Sequence, residues 1–255
     1  MTPARRLSVR TILMIALPLA GWSLEPSPAA AADRAPDMAG LMHMDDSAPV
    51  GKVMIDQLEW ADESGRTLAD WDGDAWYGSD YDKAWIKSEG SPDPSDKTVS
   101  RNELLWDHLI ARWWSLQTGI RYDLGDGPAR GWATAGVEGL APYGFNVEAA
   151  LYLGEEGRTA ARLRAEHDVL ITQRLIVQPE IEADGYGKTD SPRQVGSGFS
   201  DLQMALRLRY EFRRELAPYV GIAWRREFGP TAQFARRNGT DPSAVLWVAG
   251  FHVWF

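Results

Sequence analysis

The feature that most constrains this chain is its last strand-length stretch, residues 244–255 (AVLWVAGFHVWF). Side chains alternate across an extended strand. Val245, Trp247, Ala249, Phe251, Val253 and Phe255 therefore share one face, and Leu246, Val248, Gly250, His252 and Trp254 share the other. The first face is wholly apolar and rich in aromatics. Such a strand suits a barrel closed in an outer membrane, where the last strand pairs with the first and turns its apolar face to lipid. The competing arrangement is the final strand of a soluble antiparallel sandwich.

The upstream text favours the barrel. Twelve alternating segments can be drawn, at about 51–60, 69–78, 82–90, 99–110, 113–123, 131–139, 143–153, 158–170, 174–184, 198–212, 217–227 and 244–255. Their length is near the ~9–11 residues that a tilted strand needs to cross the hydrocarbon layer. In the tenth, Leu202, Met204, Leu206, Leu208, Tyr210 and Phe212 alternate with Gln203, Ala205, Arg207, Arg209 and Glu211. One side of such a strand wants oil and the other wants water or a charge partner. Connections near 79–81, 111–112, 140–142, 171–173 and 213–216 are short. Those after the first, third, ninth and eleventh segments are longer and rich in Gly, Pro, Asp and Ser, as in 91–98, 186–196 and 228–243. Short turns at one end and long loops at the other is the outer-membrane pattern, and an even strand count puts both chain ends in the periplasm. The fold class expected is all-β, a closed antiparallel transmembrane β-barrel of about 12 strands.

Ahead of the barrel, residues 1–32 read as a secretory signal peptide. Arg5, Arg6 and Arg10 form a basic start, 12–24 an apolar stretch, and Ala30-Ala31-Ala32 a cleavage site. Loss of three arginines and Glu25 with that segment takes the formal charge from −9 to −11. An acidic exported protein is a poor partner for nucleic acid and a reasonable one for cations. Residues 33–49 have neither strand nor helix periodicity and read as a short disordered periplasmic tail, leaving 50–255 as the barrel. The absence of cysteine excludes disulfides, thiolate metal sites and cysteine nucleophiles.

By parity the expected lumen carries mixed charges, among them Glu59, Asp72, Asp74, Lys87, Glu89, Arg101, Arg121, Glu148, Arg162, Arg164, Glu180 and Arg207. In a narrow barrel these should pair across strands and hold it rigid, because an unpaired buried charge is expensive. Trp60, Tyr77, Trp114, Tyr122, Trp132, Trp247 and Phe255 are expected at the lipid interface, where an apolar ring with a polar edge is favoured. His108 and His167 fall on the outer face near the periplasmic rim.

The metal-flavoured residues lie at the two ends of the mature chain. Met38, Met42, His43 and Met44, with Asp45 beside them, can wrap one ion without a preformed cavity. Thioether and imidazole suit Cu(I), and imidazole with carboxylate suits Cu(II). His252 points by parity into the lumen near the periplasmic end and is a further candidate ligand. No G-x-S-x-G, P-loop or H-E-x-x-H is present, and no catalytic constellation is expected.

The blocks MHMDD (42–46), DQLEW (56–60), WDGDAWYGSDYDKAWIKSEG (71–90), GIRYD (119–123) and TQRLIVQPEIE (172–182), with the terminal aromatic strand, resemble the copper-resistance protein B family of outer-membrane proteins. The resemblance implies an outer-membrane barrel that binds a copper ion and contributes to copper tolerance alongside periplasmic copper-handling proteins. Members often carry a longer Met/His-rich N-terminal region. The short tail here implies a load of one or two ions. On this reading the tail captures periplasmic copper and the barrel anchors it, with outward passage through the lumen as an extension. The rival is a general diffusion porin whose Met and His are incidental.

Overall fold

The computed structural model describes residues 49–63, 66–92, 98–125 and 127–255. The signal-peptide expectation, and Met38, Met42, His43, Met44 and Asp45 of the tail, lie outside the described residues. From Val50 onward the chain is almost entirely strand: β1 (Val50–Glu63), β2 (Arg66–Gly78), β3 (Asp82–Pro92), β4 (Thr98–Ala111), β5 (Trp114–Leu124), β6 (Arg130–Ala141), β7 (Phe145–Gly154), β8 (Arg158–His167), β9 (Val169–Leu170), β10 (Leu175–Tyr186), β11 (Gly198–Tyr210), β12 (Leu216–Glu227) and β13 (Ser243–Trp254). One helix, α1 (Gly229–Arg237), sits in the connection between β12 and β13.

Every neighbouring pair is antiparallel, and β13 returns to β1 to close the sheet. The backbones of Val53 and Phe255 exchange both hydrogen bonds, at 3.0 and 2.9 Å, so the last residue seals the seam. The two-residue β9 continues β8. The register along β10 runs unbroken from Glu166↔Glu180 to Val169↔Val177. The interruption lies opposite Pro179, which has no N–H to give to the ladder. Counting β8 and β9 as one stave gives the twelve expected.

Alternation holds along β13, where Leu246 and Val248 are buried while Val245 and Trp247 face outward, Trp247 with 70% of its surface accessible. The same outward exposure of large apolar groups recurs at Ile120, Leu151, Leu206 and Val220. In water this would be an aggregating surface, whereas in a bilayer it is the lipid-facing belt. Among the described residues all strands belong to this one closed sheet and no second sheet covers it, which disposes of the sandwich.

Three expectations need correction. The connection after the first segment is not a long loop, because β1 and β2 run on until only residues 64–65 separate them. Trp132 is not at the lipid interface. It is 6% exposed and faces inward, where its indole N–H donates to Asp123 at 2.9 Å and its ring lies 5.5 Å from the Arg121 guanidinium. A polar partner for the N–H inside outweighed the pull of the interface. The same parity brings Glu138 into the lumen, where Lys87 meets it at 2.8 Å.

The third concerns β1. Glu59 points inward as expected. Strict alternation would then turn Met54 and Asp56 outward. The pairing of β1 shifts between Ile55 and Leu58 against β13, and between Ile55 and Gln57 against β2. This is a β-bulge, and a one-residue insertion flips the face of everything beyond it. Met54 and Asp56 consequently line the lumen.

Candidate functional site

The lumen is crossed by ion pairs from wall to wall. Arg164 on β8 reaches Asp72 on β2, directly across the barrel, at 2.7 Å. Its neighbour Arg162 meets Glu89 on β3 at 2.5 Å and Glu182 on β10 at 2.7 Å. Arg101 on β4 reaches Glu89 at 3.0 Å and Asp184 on β10 at 3.5 Å. Lys87 is held between Glu138 and Glu148 at 2.8 and 2.9 Å, with Gln117 at 3.2 Å. Each of these side chains comes from the polar parity of its strand, and pairing across the gap meets the cost of burying its charge.

Arg207 on β11 is the most enclosed of the set, at 1% exposure. Its guanidinium meets Glu180 at 2.6 Å, Glu59 at 2.9 Å and Gln57 at 3.0 Å. Gln57, two residues before Glu59 on the same face of β1, donates in turn to Glu180 at 3.2 Å.

These bars divide the interior. A chamber of about 400 Å³ opens towards the long-loop end, lined among others by Trp71, Arg101, Arg121, Trp132 and Tyr186. A second, of about 110 Å³, lies towards the end carrying Val50 and Phe255. A third, small cavity of about 30 Å³, lined among others by Asp72, Glu89, Arg162 and Arg164, shares residues with both. The barrel is therefore a pair of polar chambers separated by an ion-paired constriction.

At the outer end Asp190, in the β10–β11 connection, takes a two-point grip from Arg130 at 2.8 and 3.1 Å, with Arg158 at 3.5 Å. The hydrogen bonds from Arg130 hold the Asp190 carboxyl below its usual range, helped by the positive charges of Arg158 and Arg193. A depressed carboxyl contributes stability that is complete above the ordinary aspartate value and vanishes as pH falls through the depressed one. Protection of backbone amides in 187–197 against hydrogen exchange should therefore stay flat down to about pH 4 and fall only below it. Asp190→Asn should lose that protection already at neutral pH. Protection in the native protein that declines well above about pH 4 would show that another group holds the loop.

Of the metal candidates from sequence, His252 is described. It faces the lumen, with Nδ1 3.5 Å from Asp56 Oδ1. His108 and His167 lie at the rim. His108 stacks on Trp106 at 5.3 Å and meets Asp82 at 2.8 Å, and His167 stacks on Phe145 at 4.8 Å with Nδ1 2.8 Å from the Gly144 carbonyl. Among the described residues no three His, Asp or Glu side chains are already gathered as a metal cage. Sequence reasoning missed Asp56 and Met54, since nothing in DQLEW announces the bulge.

A family model described as copper resistance protein B precursor matches residues 49–255. The chain is 40% identical over 210 residues to copper resistance protein B of Escherichia coli, across 82% of this chain and 71% of that protein. It is 39% identical over 210 residues to a copper resistance protein B homolog of Pseudomonas syringae pv. tomato, with the same coverage of both. Among solved structures the NanC porin superposes with a TM-score of 0.51 at 12% identity, over 80% of this chain and 99% of that one. This last is a likeness of fold.

Proposed function

The chain belongs to the copper resistance protein B family, and from that premise we propose that it captures periplasmic copper through the segment preceding its barrel. It is a non-enzymatic protein of the Gram-negative outer membrane, and its role is in copper resistance. The observation that carries the reading is the match of the family over the whole barrel, joined to a lumen crossed by Arg164–Asp72 and Arg162–Glu89. A general diffusion porin needs an open aqueous path, and this bore is spanned by part-buried ion pairs. The barrel on this reading anchors the binding segment. The cargo is copper, as Cu(I) on the thioethers of Met38, Met42 and Met44, or as Cu(II) on His43 with Asp45. Periplasmic copper-handling proteins are the partners that such a capture step requires.

The test replaces Met38, Met42, His43 and Met44 with alanine in the full chain and measures copper stoichiometry of the purified protein. Loss of most of the bound copper supports the reading. Unchanged stoichiometry removes the segment from it.

A further inference from the structure

The chamber of about 400 Å³ opens outward, but its mouth is not bare. Lys188, Asp190, Arg193 and Val195, all in the β10–β11 connection, line it. Past Tyr186 and Gly198 the β10–β11 ladder stops, so this segment is not the wall prolonged. It leans sideways instead. The Gly187 N–H donates to the Thr159 carbonyl at 2.8 Å and Lys188 Nζ to the Glu156 carbonyl at 2.7 Å, both beside the neighbouring β7–β8 turn. The tip then passes that turn and meets the next connection, β5–β6, where Arg193 Nη1 donates to the Pro128 carbonyl at 3.1 Å. The backbones come so close there that a Cβ on Gly127 would stand 2.6 Å from the Pro192 carbonyl oxygen.

The tip is built as a unit. Asp190 and Val195 exchange backbone hydrogen bonds at 2.8 and 3.1 Å, and the N–H groups of Arg193 and Gln194 close turns onto Asp190 and Ser191 at 3.1 Å each. Glycines flank it, Gly185 and Gly187 before and Gly196 and Gly198 after. Gly198 has a φ of +96° and nothing within 4 Å of where a Cβ would stand, so backbone freedom rather than crowding calls for glycine there. Hinges are a few loop or element-terminal residues that absorb large dihedral changes. On the side of α1 the segment is held by the Gly196 N–H, which donates to Thr231 Oγ1 at 2.9 Å. Over the mouth the charged contact is the two-point grip of Arg130 on Asp190, with Arg158 beside it. A self-closed tip between glycines, fastened by side chains, has the parts of a lid.

We propose that residues 187–197 are a lid on the outer chamber, latched by Asp190 to Arg130 and Arg158, and that the lid sieves by size. Small hydrated ions pass its edge, where the chamber stays open. Solutes bulky enough to fill the chamber enter from outside only when the tip swings away. Opening breaks the grip on Asp190 together with the bonds from Arg193 to Pro128 and from Lys188 to Glu156, and leaves the ladders of β10 and β11 whole. The lid is independent of what the segment ahead of the barrel binds.

The test places one thiol in the chamber, Ser100→Cys, in a chain that has no cysteine of its own. The full chain in lipid nanodiscs is treated with a small methanethiosulfonate or with a bulky, dye-bearing one, and each labelling rate is read by mass spectrometry. With the native loop the small reagent should react fast and the bulky one slowly. Asp190→Ala and Arg130→Ala should each raise the bulky rate about tenfold or more, the factor expected when a hydrogen bond to a charged group is lost from the closed state. The small rate should not change. The double variant should exceed neither single one, because both substitutions remove the same latch. Heat-modifiable migration reports that each barrel is closed. If Asp190→Ala fails that check, a chain with residues 189–195 replaced by two glycines takes its place and should show the same rise. A bulky rate that stays at the native value overturns the proposal, as does a native loop that admits both reagents equally fast.

Discussion

Replacing Arg207 with methionine should cost about 3–5 kcal/mol of barrel stability, because it strands Glu59 and Glu180, each 5% exposed, without that cation. The guanidinium is 1% exposed and within 3.0 Å of both carboxylates and of Gln57. Arg164 stands 3.6 Å from Glu180 but is already committed to Asp72. The sign of the effect does not mean that the cluster is a strong net stabiliser. Burying three charges is itself costly, and an apolar replacement of all of them is often neutral or better. Hence Glu59→Gln and Glu180→Gln, added to Arg207→Met, should restore much of the loss. Urea unfolding of the detergent-solubilised barrel, followed by its heat-modifiable migration, measures both. A loss below about 1 kcal/mol would place Arg207 with ordinary exposed pairs and would contradict the enclosure described.

Removing Arg162 and Arg164 together by alanine should turn a lumen with little basal conductance into a steady, cation-selective channel. These two side chains are among those lining the small cavity of about 30 Å³ between the chambers. Their loss takes those partners from Asp72 and Glu182 and leaves Glu89 with Arg101 alone, so the net charge of the widened bore then favours cations. Planar-bilayer recording of the purified protein distinguishes the outcomes. If the native barrel already carries the same steady, metal-independent current as the double variant, the diffusion-porin reading prevails and the ion pairs are not a gate. Conversely, a double variant that stays silent would move the barrier to Arg207 or Lys87.

Much of this was legible in residues alone, and the reason is period. A half-lipid, half-polar strand writes its two faces in alternate letters, so Leu202 to Phe212 and Val245 to Phe255 announced both orientation and length. Charges that parity sent inward, such as Arg162, Arg164, Glu89 and Arg207, are the ones that meet across the bore. Parity fails where the backbone gains a residue. Nothing in the letters of β1 marks the bulge between Ile55 and Leu58, and Asp56, the acid beside His252, is hidden with it. It fails also where a residue type suits both faces. Trp132 was assigned to lipid on its ring, whereas its N–H had a carboxylate waiting inside.

The seam between β1 and β13 has a cost in time. Its contacts join residues near the beginning and end of the barrel, such as Met54 and Trp254, so the cylinder cannot shut until the whole chain has been made. Until then two long strand edges stay open to any passing partner, and such edges invite aggregation. A product truncated before Ser243 lacks one lip of the seam altogether. It should persist only under the protection of chaperones, and otherwise be cleared by proteolysis before it reaches the membrane.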